Sequence, residues 1–224
     1  MASQKSKQKA LEYLIEFILV IVGISIAFWL SELAEESKKK ELEVQYLQDL
    51  MEDLKEDVEL IDYLTLLNQD VAETLGKAID YYTRPDKPMT LDSLTYYADA
   101  IGKLNLFQPN NFTYLSLKQS GDFKIIKDHI IRKKLIRLYS SYETVDLEQK
   151  NLMKALDDHY YPVYFKNYEQ VTGKVINKEF FEGPYVSNYL PLSHSQTNNI
   201  LEYFERSKTL AKQTIELIET RLER

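Results

Sequence analysis

The apolar stretch LEYLIEFILVIVGISIAFWL, residues 11–30, decides the fold of this chain. Residues 17–30 within it carry no charged side chain. Twenty helical residues extend about 30 Å, which is the thickness of the hydrocarbon core of a bilayer. The stretch therefore predicts a transmembrane helix over residues 11–31, preceded by a short basic tail of residues 1–10.

Two other interpretations of this stretch remain open. Lys5, Lys7 and Lys9 resemble the basic start of a cleaved signal peptide, although the SELAEES segment after Trp29 contains no clean small-x-small cleavage site. A buried core helix of a soluble protein is the second alternative. Because lysines stand on both sides of the span, with Lys38–Lys40 after it, the charge bias that sets orientation is close to nil. We expect the N-terminus inside and the large C-terminal part outside.

Glycine and proline are scarce, with only 6 of each among 224 residues. None occurs in residues 24–75, 122–161 or 192–224, so three long segments are free to be uninterrupted helix. In each segment apolar residues recur at spacings of three and four, which is typical of a helix packed on a helix. The three apolar stripes are Leu47, Met51, Leu54, Val58, Ile61 and Leu64; Ile131, Leu135, Leu138, Tyr142, Val145, Leu152 and Leu156; and Phe204, Ala211, Ile215, Ile218 and Leu222. We predict an all-α protein whose single transmembrane helix continues into a long helix of an antiparallel extramembrane bundle, residues 32–224.

Shorter helices are predicted between the first two long ones. The two prolines of residues 83–88 end the first long helix. A helix over residues 91–103 follows, with Thr90 as its N-cap, and then a helix over residues 112–120. Gly121 is placed to adopt the left-handed conformation that ends a helix, which predicts a helical corner there.

Residues 160–194 are the least regular stretch of the sequence and are rich in aromatic side chains. Ser195 is the predicted N-cap of the C-terminal helix after it. The aromatic residues at the start of the stretch are a possible ligand or partner surface, formed by Tyr160, Tyr161, Tyr164, Phe165 and Tyr168. The alternative is that they cover one end of the bundle.

Glu16 is the candidate functional residue of the apolar stretch. Glu16, Val20, Gly23, Ala27 and Ala34 share one face of the predicted helix, and small residues allow two helices to approach closely. A carboxylate inside a membrane is costly and usually faces a partner or water. Three roles remain open for Glu16: it reaches the interface, it pairs with another subunit or protein, or it lines a proton or cation path.

Composition argues against several classes of function. The chain has 28 Lys and Arg against 35 Asp and Glu, a net charge of −7, without the concentrated basic surface of a nucleic-acid-binding protein. It has no cysteine, and no nucleotide-binding or hydrolase motif is present. Asp157, Asp158 and His159 are adjacent and would point to different faces of a helix. We therefore predict no catalytic residue, no metal site and no cofactor.

Two segments resemble an uncharacterised family of small bacterial single-pass membrane proteins, which is classed only as a domain of unknown function. The first is residues 13–54, YLIEFILVIVGISIAFWLSELAEESKKKELEVQYLQDLMEDL, and the second is residues 111–139, NFTYLSLKQSGDFKIIKDHIIRKKLIRLY. The positions of the first segment that match are Glu16, Gly23, Tyr46, Leu47 and Leu54. In the second segment, Gln119 replaces the first Ser of the family's Leu-Lys-Ser-Ser-Gly motif. The resemblance implies an architecture and brings no activity, ligand or catalytic residue.

The leading hypothesis for function is a non-enzymatic scaffold or accessory subunit in a bacterial inner membrane. It would contact membrane lipid, and it would form a homo-oligomer or hold a membrane protein partner. The first alternative is a periplasmic ligand-sensing bundle with a separate output partner. The second is a proton- or cation-conducting oligomer that uses Glu16.

Overall fold

A computed structural model describes residues 2–84 and 90–223 of the chain, with side chains from residue 16 onward. Its dominant element is α1, a single helix of 82 residues from Ala2 to Thr83. At 1.5 Å per residue this helix is about 120 Å long. The all-α prediction is confirmed, and the apolar stretch and the first long bundle helix are one continuous helix.

Helix α1 has an uncovered half and a packed half. Every side chain of residues 16–41 is exposed, and burial begins at Glu43 and continues with Leu47 and Leu50. Among the described residues, this helix alone is long and apolar enough to cross a membrane. Residues 32–40 lie between the apolar segment and the bundle and form a polar helical stalk. The side chains of the basic tail, residues 1–10, lie outside the described part of the chain.

Within residues 90–223, six further helices and one hairpin follow α1. They are α2 (Leu91–Ile101), α3 (Phe112–Ser120), α4 (His129–Ala155), α5 (Tyr161–Asn167), strands β1 (Tyr168–Glu169) and β2 (Lys174–Val175), α6 (Lys178–Glu182) and α7 (Pro184–Leu222). A 3₁₀ turn, Asp122–Lys124, precedes α4, and a π-helical turn, Leu156–Tyr160, joins α4 to α5.

Helix α7 packs along both α1 and α4 and is antiparallel to both. Lys55 of α1 pairs with Glu219 at 3.0 Å near the C-terminal end of α7, whereas Gly76 lies beside His194 near its start. Between α4 and α7, the Lys134 Nζ donates to Gln213 Oε1 at 2.6 Å. The C-terminus of α7 and the N-terminus of α4 therefore lie at the end of the bundle where α1 enters it from its uncovered half. The predicted antiparallel bundle has this arrangement.

The predicted start of α2 and both predicted ends of α3 are confirmed, whereas α2 ends at Ile101, two residues before the predicted end at residue 103. Thr90 caps α2, because its Oγ1 accepts the Ser93 N–H at 3.2 Å. Gly121 has a φ of +79°, the left-handed conformation expected after α3. Helix α1 ends at Thr83, and most of the predicted proline break, residues 85–88, lies outside the described residues.

The prediction for residues 160–194 is wrong in two respects. Only residues 168–177 contain the hairpin and connecting turns, and most of the rest is helical. Helix α7 begins at Pro184, so Ser195 lies inside it and is not its N-cap. A proline within a helix costs a backbone hydrogen bond, and Pro191 suggested a break. The first turns of α7 persist because Val186 and Leu190 are fully buried in the core.

Candidate functional site

The five residues of the predicted membrane packing face all lie on the uncovered half of α1. Because residues 16–34 form one regular helix, Glu16, Val20, Gly23, Ala27 and Ala34 share one side of it. All five are exposed, and apart from the adjoining residues and backbone of α1 itself, no described atom lies within 4 Å of the position that a Gly23 Cβ would take. The structure thus brings these residues together on a face that the described part of the chain does not cover.

Glu43 joins three elements at the point where α1 enters the bundle. Its carboxylate is only 4% exposed and accepts the backbone N–H of Lys127 at 2.7 Å, just before α4. The other oxygen accepts from the Arg221 guanidinium near the end of α7, at 3.3 Å. Glu43 therefore connects the start of the packed half of α1 to the segment before α4 and to the end of α7.

Further acids of α1 hold the segment that leads into α3. Asp57 Oδ1 accepts the Asn110 N–H at 2.7 Å, and Glu56 accepts from the amide side chain of the same residue at 3.0 Å. Asp53 lies 3.4 Å from the Thr113 N–H, which is in the first turn of α3. Because the Asn111 side chain makes no capping bond, acids of another helix supply the negative charge at the start of α3.

Asp57 is the most strongly buried of these acids, with 1% of its surface exposed. Burial raises the pKa of Asp57 from its ordinary value of 3.8 to about 6, despite the Asn110 N–H that stabilises its charged form. The Tyr142 hydroxyl of α4 faces this carboxyl group, and burial followed by the Asp57 charge raises the pKa of Tyr142 as well. Among the described residues, neither Asp57 Oδ2 nor the Tyr142 hydroxyl has a geometrically satisfactory hydrogen-bond partner.

The predicted aromatic surface is largely core at the end of the bundle farthest from the apolar segment. Tyr160 and Tyr164 are 1% and 2% exposed, so they are not surface residues. The Tyr160 hydroxyl donates to the Ala98 carbonyl at 2.8 Å, and the Tyr161 hydroxyl donates to the Gly102 carbonyl at 3.0 Å.

Those carbonyls belong to the C-terminal end of α2, which lacks partners within its own helix. Tyr164 likewise donates to Asp99 of α2. The alternative interpretation, that these rings cover one end of the bundle, therefore holds for the buried tyrosines. Only Phe165 is broadly exposed, and Tyr168 is half-buried in β1.

The π-helical turn explains how these tyrosines reach α2. Pro162 lacks an N–H and its ring would clash with the Asp158 carbonyl in a regular helix. The wider turn Leu156–Tyr160, in which the Tyr161 N–H bonds to the Leu156 carbonyl, accommodates this proline. The three tyrosines at and just after this turn, Tyr160, Tyr161 and Tyr164, all donate hydrogen bonds to α2 or its C-cap.

The structure has two open grooves that could receive another molecule. One, of about 450 Å³, lies between α4 and residues 106–118 and has Phe107, Tyr114 and Tyr139 in its wall. The other, of about 890 Å³, runs between α4 and α7 and is lined by a mixture of charged, polar and apolar residues. A smaller cavity of about 300 Å³ beside Tyr161 is bordered by Asp99 and Lys103. Among the residues whose side chains are described, 16–84 and 90–223, there is no group of three or more acids and histidines able to hold a metal ion.

The sequence analysis did not single out Glu43, Asp57 or Gln149. Gln149 is buried, and its side-chain amide makes two hydrogen bonds to the backbone of Phe107. The Gln149 Oε1 accepts the Phe107 N–H at 2.7 Å, and the Gln149 Nε2 donates to the Phe107 carbonyl at 3.0 Å. A signal was present for Asp57, because it stands three residues after Leu54 and four before Ile61 and so continues the apolar stripe. A polar residue at a stripe position predicts a buried polar contact.

Comparison with known proteins identifies no relative of this chain. No protein-family model matches it, and no curated protein or solved structure matches it.

Proposed function

We propose that the chain is a non-enzymatic, membrane-anchored scaffold or accessory subunit of a bacterial inner membrane. Its membrane helix associates with a second copy or with another membrane protein through the face of Glu16, Val20, Gly23, Ala27 and Ala34. The observation that carries this proposal is the exposure of every side chain from residue 16 to residue 41 on a helix that continues into a packed bundle.

The uncovered face has the chemistry of a helix–helix contact in a membrane. Gly23 and Ala27 are four residues apart and leave room for the backbone of another helix. Glu16 on the same face is best accommodated by a polar partner, because an unpaired carboxylate in a membrane is costly. A second membrane helix would satisfy both features.

The continuous helix α1 gives such a contact a mechanical consequence. Within residues 16–83 it has no break, so a rotation of the membrane helix is carried to Glu43 and the helices bonded to it. Burial begins at Glu43, about 15 Å beyond Leu33, which is the last large apolar residue of the uncovered half of α1. We place the N-terminus in the cytoplasm and the bundle in the periplasm.

Mass measurement of the detergent-solubilised full chain, with identification of copurifying proteins, tests the proposal. The expected result is a homo-oligomer or a stoichiometric membrane protein partner. Gly23→Leu should disrupt this complex, because its side chain separates the helix backbones. Ser25→Leu is the matched control, since it lies at the same depth on the opposite side of the helix. A monomer of 26.4 kDa without a partner would contradict the proposal.

A ligand-sensing bundle is the second candidate function. It is favoured by the groove of about 450 Å³ beside Phe107, Tyr114 and Tyr139, which has the size and aromatic wall of a small-molecule site. Native mass spectrometry of the purified chain should then detect a bound small molecule that is lost in Tyr114→Ala. A chain that carries no adduct in both forms would count against sensing.

A further inference from the structure

Positive charge is concentrated in the turn between α3 and α4, although the whole chain has a net charge of −7. Residues 118–137 contain seven Lys and Arg but only two acids, Asp122 and Asp128. The basic residues are Lys118, Lys124, Lys127, Arg132, Lys133, Lys134 and Arg137, which together we name the basic corner. Such segregation in an acidic protein indicates a surface with an anionic partner.

The charges of the basic corner are not neutralised within the described part of the chain, where none of the seven forms an ion pair. The two acids are engaged elsewhere, because Asp122 accepts from the Tyr46 hydroxyl and Asp128 caps α4. Five of the basic side chains are exposed. Only Arg132 and Lys134 are partly covered, by backbone carbonyls and by Gln213 respectively.

The fold fixes the part of the basic corner before α4 at the end of the bundle where the uncovered half of α1 begins. The Lys127 N–H bonds to Glu43, and Asp122 accepts from Tyr46, so both anchor points lie at the start of the packed half of α1. Glu43 is ten residues beyond Leu33, a rise of about 15 Å. A headgroup layer is about 5–8 Å thick, and the Debye length in physiological salt is about 8 Å. About 15 Å less a headgroup layer leaves about 7–10 Å, or about one Debye length, so the Lys127 end of the corner is within electrostatic range of the bilayer surface. The bases of α4 lie farther away, since Lys134 bonds to Gln213 along the bundle.

Two neighbouring features suit the same partner. Lys38–Lys40 lie on the stalk between Leu33 and Glu43, at the level of the headgroups. Ile130, at the start of α4, is 48% exposed beside the basic side chains. Exposed apolar and basic residues together are typical of surfaces that bind the membrane interface.

We propose that the basic corner binds the anionic lipid headgroups of the leaflet from which α1 emerges and thereby fixes the tilt of the bundle relative to the membrane. This inference rests on the proposed membrane anchoring by α1. Anchoring supplies the reason to prefer lipid over an acidic protein, because it holds the corner beside the bilayer permanently. The basic corner can bind lipid in either orientation of the chain, because binding requires only that the leaflet beside it contains anionic lipid.

The full chain reconstituted into vesicles tests this proposal, and the absence of cysteine allows a single label to be introduced. Gln119→Cys places a fluorophore on an exposed position of the corner. Energy transfer to a headgroup-labelled lipid is compared between phosphatidylcholine vesicles and vesicles with about one-third phosphatidylglycerol. We expect higher transfer with the anionic lipid, and a return to the phosphatidylcholine value in about 1 M NaCl, where the Debye length is about 3 Å.

Charge reversal identifies the residues responsible. Lys118→Glu, Lys124→Glu and Lys133→Glu together should abolish the increase in transfer. The matched control reverses three exposed lysines at the other end of the bundle, Lys154, Lys166 and Lys174, and should retain it. Circular dichroism verifies that both triple variants keep their helical content.

Equal transfer in the two lipid compositions would overturn the proposal, and so would an equal loss in the two triple variants. Flotation of the vesicles after an alkaline wash tests anchoring separately. If the chain leaves both kinds of vesicle, the proposed anchoring fails as well. If it stays and transfer does not depend on the lipid, the lipid contact alone is refuted.

Discussion

Asp57 is the position where a single substitution is expected to increase stability. Its carboxyl group is buried between α1 and α4, and burial raises its pKa from 3.8 to about 6. Asp57→Asn removes the charge but keeps an oxygen that can accept the Asn110 N–H, now 2.7 Å from Oδ1. Its amide group can also donate to the oxygen of the Tyr142 hydroxyl, which has no partner among the described residues.

The magnitude follows from the shift in pKa. Because the folded state binds this proton more tightly than the unfolded state, the group favours folding at low pH, and its contribution is lost as the pH rises from about 4 to about 6. A shift from 3.8 to about 6 corresponds to a penalty of about 3 kcal/mol at neutral pH. Because the unfolded group is already partly ionised at pH 4, Asp57→Asn should be about 2.5 kcal/mol more stable relative to the parent chain at pH 8 than at pH 4.

Guanidinium unfolding of the full chain in detergent provides the assay. The 17 tyrosines give a near-ultraviolet circular dichroism signal that reports bundle packing, so the apolar helix in detergent does not mask the transition. The difference between variant and parent isolates Asp57 from the other titrating acids. Glu59→Gln, an exposed acid on the same helix, is the control and should change stability by less than about 0.5 kcal/mol at either pH.

The opposite pH dependence would refute this reasoning. If Asp57→Asn destabilises the bundle more at pH 8 than at pH 4, the carboxylate is stabilised in its charged form and its burial has been misjudged. A difference that does not change with pH would show that Asp57 titrates as it does in the unfolded chain.

Three further predictions concern packing and the uncovered helix. Gly102→Ala should lower stability by about 1–3 kcal/mol in the same unfolding assay, because its Cβ would lie 2.5 Å from the Tyr161 hydroxyl. Gly76→Ala is the control, since its Cβ would lie at an ordinary contact distance of 3.7 Å from His194 Nε2. It should be neutral or stabilising by up to about 1 kcal/mol. Glu43→Ala should cost about 2–4 kcal/mol and increase amide exchange at residue 127, and unchanged exchange there would contradict its role. Glu16→Gln should leave bundle stability unchanged; if it also leaves oligomer size and ion flux in reconstituted membranes unchanged, pairing and conduction by Glu16 are both ruled out.

The elements that the sequence predicted correctly are those set by local patterns. The long helices follow from apolar spacing and from the absence of glycine and proline, and the corner at Gly121 follows from the conformational freedom of that residue. These signals operate within one or two helical turns. They also predicted the N-cap Thr90, whose partner is three residues away.

The elements that could not be predicted depend on distant contacts. Helix α7 extends through Pro191 because its first turns are buried against other helices, which overrides the local preference for a break. The Tyr160 and Tyr161 hydroxyls donate to carbonyls at the end of α2, about 60 residues earlier in the chain. The sequence around these tyrosines does not indicate those partners. Glu43 bonds to Lys127 and Arg221, and nothing in its own neighbourhood indicates either partner.

Disulfide formation in native membranes tests most directly whether the chain associates through the face of Glu16. The full chain has no cysteine, so Gly23→Cys and Ser25→Cys each introduce one thiol at the same depth, on opposite sides of α1. Mild oxidation should cross-link Gly23→Cys to a second copy, or a thiol-attached photo-cross-linker at the same position should capture a partner protein of another kind, and neither product should form at Ser25→Cys. Equal cross-linking at the two positions, or none at either, would contradict association through this face.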